Sequence, residues 1–151
     1  MPTKNLLLDV SGIKLGQAAT SLSDAVDQVG RTLFDIGAVD ADYLPAMHER
    51  ERSVSTFIGE GVAIPHGTDE ARKYVRRTSL VVLQFPEGVD WGGNYVRMCV
   101  GIAASGTEQV GILSSLARVL LDADLAARLR EAKDAETVIR ILQSTNEESD
   151  Q

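Results

Sequence analysis

The chain has one cysteine, Cys99, and two histidines, His48 and His66, in 151 residues. A single thiol excludes an internal disulfide and fits a reducing compartment. With no cysteine pair, no HExxH and no other cluster of ligand residues, neither a metal centre nor any other cofactor is expected. No run approaches the ~20 apolar residues that span a bilayer. The short stretch Leu6 to Leu8, after Met1-Pro2-Thr3-Lys4-Asn5, is too brief for a signal-peptide core, so a cytoplasmic location is expected. Gly59-Glu60-Gly61 lacks the third glycine and the lysine of the known phosphate loops, which argues against ATP or NAD. No GxSxG turn accompanies a base, which places a small hydrolase last. Positive charge is also short. The net charge is -7, which repels nucleic acid and anionic membranes and attracts a basic protein partner.

The chain is 44% hydrophobic and 25% charged, the balance of an ordinary globular protein. Its length fits one domain, which buries roughly two-thirds of its unfolded surface. We place the domain at residues 1–143 and read the polar, acidic 144–151 as a disordered tail. Ser21-Leu22-Ser23-Asp24 resembles a capping box, with Val26, Val29 and Leu33, then Gly30 and Phe34, on one face behind it. Gly37 should end that helix. Asp42 caps a second helix, because Pro45 then falls in the first turn, where its missing N–H costs nothing; the helix should end near Arg52. Thr56 to Ile58 and Val62 to Ile64 read as extended. A short helix is expected from Thr68 or Asp69 to about Val75. Ser79 to Phe85 and Val96 to Ala104 are nearly continuous apolar runs that suit strands buried on both faces, with Pro86-Glu87-Gly88 as the turn between them. From Glu108 the pattern is helical, with Val110, Leu113, Leu116 and Leu120 on one face. Asp122 and Asp134 cap two shorter helices. Strands interleaved with helices indicate an α/β layered domain.

The chemistry centres on His66, in Ile64-Pro65-His66-Gly67-Thr68. Imidazole is nucleophilic near neutral pH because its pKa is about 6.5. Gly67 would let a bulky anion approach the backbone, and the helix start at Thr68 offers free N–H groups to a phosphoryl group. Asp69 and Glu70 compete for the same positive field. From spacing alone, a phosphoryl acceptor and a buried histidine satisfied by one backbone bond are evenly balanced. His48, in Met47-His48-Glu49-Arg50-Glu51-Arg52, reads as part of a solvated helix face, as does Arg50 taken alone. Cys99 reads as an inert core thiol. Trp91 is expected in an exposed loop, with packing and partner contact equally open.

Met47 to Thr68 (MHERERSVSTFIGEGVAIPHGT) resembles the active-site segment of the mannitol/fructose-type enzyme IIA family of the sugar phosphotransferase system. The similarity continues in Gln84-Phe85-Pro86-Glu87-Gly88-Val89 and Ile102-Ala103-Ala104, and Leu15-Gly16-Gln17-Ala18-Ala19-Thr20 looks like the mannitol subgroup. It covers roughly residues 5–143. The resemblance implies a mixed β-sheet of about five strands with helices on both faces. It implies a free-standing, monomeric phosphocarrier in which His66 takes a phosphoryl group from phospho-HPr and passes it to a cysteine of enzyme IIB or IIBC, with mannitol as the expected sugar. Arg50 matches the family's active-site arginine, whose fork of donors suits phosphoryl oxygens. Gly67 and Thr68 would lie against the phosphoryl group. One position departs: where the family usually has a second active-site histidine, this chain has Gln109, an amide that can donate a hydrogen bond but cannot become cationic. The alternative is a regulatory enzyme IIA of the nitrogen-related type, which shares the Pro-His-Gly region; the FPEGV and LGQAAT blocks weigh against it.

Overall fold

A computed structural model describes residues 8–105 and 108–149; the side chains of Gln109 and of residues 143–149 lie outside the description. The elements run β1 (Leu8–Lys14), α1 (Leu22–Asp35), α2 (Tyr43–Ser53), β2 (Phe57–Gly59), β3 (Val62–Ala63), a 3-10 helix (Asp69–Tyr74), β4 (Ser79–Asp90), β5 (Tyr95–Ala103), α3 (Glu108–Leu120), α4 (Ala123–Arg130) and α5 (Ala135–Ser149). The strands form one sheet in the order β1-β4-β5-β3-β2. β4 and β5 pair antiparallel at its centre, β1 joins β4 in parallel, β3 joins β5 in parallel, and β2 pairs antiparallel with β3. This is the expected mixed five-stranded sheet.

Side chains alternate across a strand, and the two apolar runs therefore fill two separate cores. Val81, Leu83, Phe85, Cys99 and Ala103 pack with Val26, Val29, Leu33 and Met47 of α1 and α2. Leu80, Val82, Met98, Val100 and Ile102 pack with Leu116 and Leu120 of α3, Leu129 of α4 and Val138 and Leu142 of α5. Helices thus cover both faces, which is why these strands carry so few polar residues. Gly101 lets α1 approach the sheet: a Cβ there would lie 2.3 Å from Val29 Cγ1 and 2.8 Å from Val81 Cγ2.

The helix ends follow local chemistry. Ser21 Oγ accepts the Asp24 amide at 3.0 Å, but the Asp24 carboxylate reaches back to the Thr20 amide, one residue before the cap. Gly37, with φ 80°, closes α1 through bonds from Gly37 N to Phe34 O and from Ala38 N to Leu33 O, a Schellman arrangement. Asp122 caps α4 through the amides of Asp124 and Leu125, and Asp134 accepts from the Thr137 amide. Asp42 stands at the cap of α2 but makes no side-chain capping bond. Tyr43 N and Leu44 N bond Asp40 O and Ala41 O instead, so the chain itself satisfies those donors. On the solvent side of the amphipathic faces, Phe34 and Val110 are exposed.

Three readings need correction. Pro86-Glu87-Gly88 is not the turn. β4 continues to Asp90, with its register shifting between Gln84 and Val89. A proline is tolerated at a bulge because no ladder bond is asked of it there. The turn is Trp91 to Asn94, closed by Trp91 N to Asn94 O and by Gly93 N to Asp90 Oδ1, with Gly92 and Gly93 at positive φ. Trp91 itself is 2% exposed, not in an open loop. His48 is half-buried rather than solvated, its Nε2 3.5 Å from Asp27 Oδ1 on α1.

Candidate active site

Three elements position His66. Beyond β3 the chain stays extended, and His66 bridges Ile102 near the end of β5, with Ile102 N donating to Pro65 O at 3.0 Å. Proline before His66 biases Ile64 to this extended geometry. The His66 ring turns back so that Nδ1 lies 2.8 Å from Ile64 O. A carbonyl oxygen only accepts, so Nδ1 carries the proton and Nε2 keeps the lone pair. Nε2 makes no hydrogen bond among the described residues. The residue is buried, 4% exposed. Burial pushes the imidazole pKa below its usual value; the Ile64 bond, Glu51 and Asp69 oppose this, and Arg50 adds to it. The neutral, nucleophilic form is thereby favoured.

Arg50 sits in the last turn of α2, and its field reaches the His66 ring. Its Nη1 donates to Val54 O at 2.7 Å. That bond uses one of five guanidinium donors and fixes the direction of the others. Gly67 is tightly held. Its amide donates to Tyr43 Oη at 2.8 Å, and a Cβ on it would lie 2.6 Å from Tyr43 Cε1. The glycine is therefore required by the tyrosine ring, and its N–H is already engaged. Thr68 follows at the cap of the 3-10 helix, half-buried and with no side-chain capping bond. The backbone of Gln109 lies in the first turn of α3; its side chain lies outside the described residues. Cys99 is fully buried, and burial raises its thiol pKa far above the usual value, so it is no competing nucleophile.

The site also depends on residues that the pattern of the sequence does not single out. Tyr43, 2% exposed, donates to Ile102 O at 3.0 Å while accepting from Gly67 N, and so clasps both chain segments that hold His66. Glu51, 8% exposed, accepts from Thr56 N, Thr56 Oγ1 and Trp91 Nε1 at 2.8, 2.6 and 2.9 Å. Thr56 O in turn accepts Ile64 N at 3.0 Å, and Ile64 O holds His66. A continuous chain of bonds therefore runs from the α2 carboxylate to the imidazole.

The phosphoenolpyruvate-dependent sugar phosphotransferase system EIIA 2 family model matches residues 6–145. The chain belongs to that family. A mannitol-specific phosphotransferase enzyme IIA component of Staphylococcus aureus is 40% identical over 140 residues, 93% of this chain and 97% of that protein. The crystal structure of mannitol enzyme IIA from Escherichia coli matches with TM-score 0.82 at 34% identity, covering 89% of this chain and 97% of that one. Enzyme IIA in its complex with phosphorylated enzyme IIB of the Escherichia coli mannitol system matches with TM-score 0.85 at 33% identity, covering 91% and 99%. No helix among the described residues of this EIIA 2 protein is long and apolar enough to cross a membrane.

The Tyr43 clasp is testable without emptying the core. Tyr43→Phe keeps the ring beneath Gly67 but orphans a buried N–H and a buried C=O, so unfolding free energy should fall by about 2 kcal/mol. Loosening of the clasp should also move the His66 ring resonances and slow phosphoryl acceptance about tenfold. Loss of stability with unchanged ring resonances and rate would make Tyr43 a packing residue only.

Proposed function

We propose that this chain is a cytoplasmic phosphocarrier of a sugar phosphotransferase system, accepting a phosphoryl group on His66 from phospho-HPr and passing it to a cysteine of a sugar-specific enzyme IIB or IIBC. The supporting observation is the bond from Nδ1 to Ile64 O, which leaves the Nε2 lone pair for attack on phosphorus. In the first step the N–P bond of phospho-HPr breaks as the Nε2–P bond forms. In the second that bond breaks as the IIB thiolate takes the phosphoryl group. Arg50 stabilises the charge on the equatorial oxygens during both transfers. The Thr68 hydroxyl, which makes no capping bond, is the donor that the following turn offers, while Gly67 permits the close approach of the segments with its own amide held by Tyr43. Gln109 enters with α3, which follows the end of β5 that pairs with His66, and supplies an amide donor in place of a second histidine. Mannitol is the proposed sugar, supported by the name of the 40%-identical relative. The acidic surface, net -7, suits a basic donor protein.

Incubation with phosphoenolpyruvate, enzyme I and HPr should add one acid-labile phosphoryl group per chain; no incorporation would defeat the reading. Arg50→Ala should fold normally yet accept phosphate on the order of 100-fold more slowly, the usual effect of removing one transition-state donor. Unchanged kinetics would remove Arg50 from the mechanism. Pull-down of a membrane IIBC protein, rather than a kinase or channel, separates sugar transport from a regulatory role.

A further inference from the structure

At the far end of the sheet lies a cavity of about 660 Å³, lined by Arg97, Arg130 and Lys133 together with Glu60, Glu131 and Gln84. Along β5 it is separated from the His66 site by the stretch from Met98 to Ile102, roughly 13 Å. This chain has few cations, and many are committed: Arg31, Arg72, Arg76, Arg128 and Arg140 each pair with an acidic side chain. Arg97 and Lys133 make no ion pair among the described residues. Arg130 donates to the Glu60 carbonyl, not to a carboxylate, and its stem packs 3.1 Å from where a Cβ on Gly61 would lie. The cavity also has a fixed floor. Gln84, 5% exposed, donates from Nε2 to Leu129 O at 3.2 Å and Ala132 O at 2.9 Å. Those are carbonyls near the end of α4, the negative pole of that helix, and the amide occupies acceptors that would otherwise repel an anion. Pro86 and Ala132 add apolar wall.

We propose that this cavity is a binding site for a small phosphate monoester, separate from the phosphoryl-transfer centre. Two guanidinium forks and an ammonium suit a tetrahedral dianion. The carboxylates of Glu60 and Glu131 offset part of the positive charge and favour a ligand whose remainder carries hydroxyl groups. The volume, within the range of small-molecule pockets, exceeds what a bare phosphate fills. Because Arg130 is tied to Glu60 at the tip of the β2–β3 hairpin, an occupant that draws Arg130 away acts on the strand leading to His66.

The test is a titration of the ¹⁵N-labelled full chain with glucose 6-phosphate, inorganic phosphate, glucose and sodium chloride at matched ionic strength. Glucose 6-phosphate should give saturable amide shifts at Gly61, Arg97 and Ala132, inorganic phosphate the same shifts with weaker affinity, and glucose or chloride none. The Arg97→Gln, Lys133→Gln double variant should bind glucose 6-phosphate about 100-fold more weakly, about tenfold for each charged hydrogen bond lost, with its other amide resonances unmoved. The proposal is overturned by shifts centred on His66, by equal response to chloride, by equal affinity for inorganic phosphate, or by wild-type affinity in the double variant.

Discussion

His66→Ala should take up no acid-labile phosphate from phospho-HPr, a fall of at least about 10⁴-fold, because removing a nucleophile removes the reaction path and not one contribution to it. The variant should remain folded. Among the described residues the ring's hydrogen bond is to Ile64 O, and the surrounding clasp of Tyr43, Gly67 and Ile102 does not pass through the imidazole. Equal labelling of wild type and variant would overturn the assignment. The same residue sets a pH signature. Burial lowers its pKa, so the neutral acceptor persists at pH 7, and acceptance should fall only as pH drops below 6.5, with a single active-site imidazole titration. The protonation balance has a matching sign: below pH 6.5 the unfolded chain binds the proton that the folded ring resists, so this contribution to stability is full above that pH and is lost as pH falls. Two active-site imidazole titrations between about pH 5 and 8 would defeat the single-histidine prediction.

What the sequence makes legible is what local rules decide. Ser21, Gly37 and Asp122 mark helix ends because caps and left-handed glycines act within a few residues. Ser79 to Phe85 and Val96 to Ala104 declare central strands, because burial on both faces demands apolar residues throughout. The junction at Pro65-His66 is visible because proline biases the residue before it to extended geometry. β1 is not, because its pairing with β4 spans some 70 residues and most of its side chains are exposed or half-buried. Trp91 is misread because its burial depends on Glu51, forty residues earlier, and no local rule links them. The turn placed at Pro86 fails because proline and glycine mark a bulge as readily as a turn, and the register of β4 against β5 decides which. Gly67 reads in the sequence as room for an anion to approach the backbone; the contact that a side chain there would meet, the Tyr43 ring, comes from across the fold and no local rule points to it.

Glu51 carries the largest expected effect on stability. Glu51→Ala leaves three donors, Thr56 N, Thr56 Oγ1 and Trp91 Nε1, without their acceptor in a buried site. Each orphaned group costs about 1–3 kcal/mol, and relaxation will recover some of it, so a loss of about 4 kcal/mol is expected in urea unfolding. Glu51→Gln separates hydrogen bonding from volume. Its one carbonyl oxygen can still accept from Thr56 N and Trp91 Nε1, which share Oε2 in the native residue. Its amide can donate to the Thr56 hydroxyl, which rotates to accept. About 1 kcal/mol should be lost, with Trp91 fluorescence close to wild type. Equal destabilisation by Ala and Gln would mean that charge, not the count of acceptors, is what this position supplies. Because Thr56 passes the constraint on to Ile64 and then to His66, the Ala variant should also broaden the His66 Nδ1 proton resonance at temperatures where the protein remains folded. A sharp, unmoved Nδ1 resonance in a destabilised Glu51→Ala protein would show that the bond chain stops short of the imidazole.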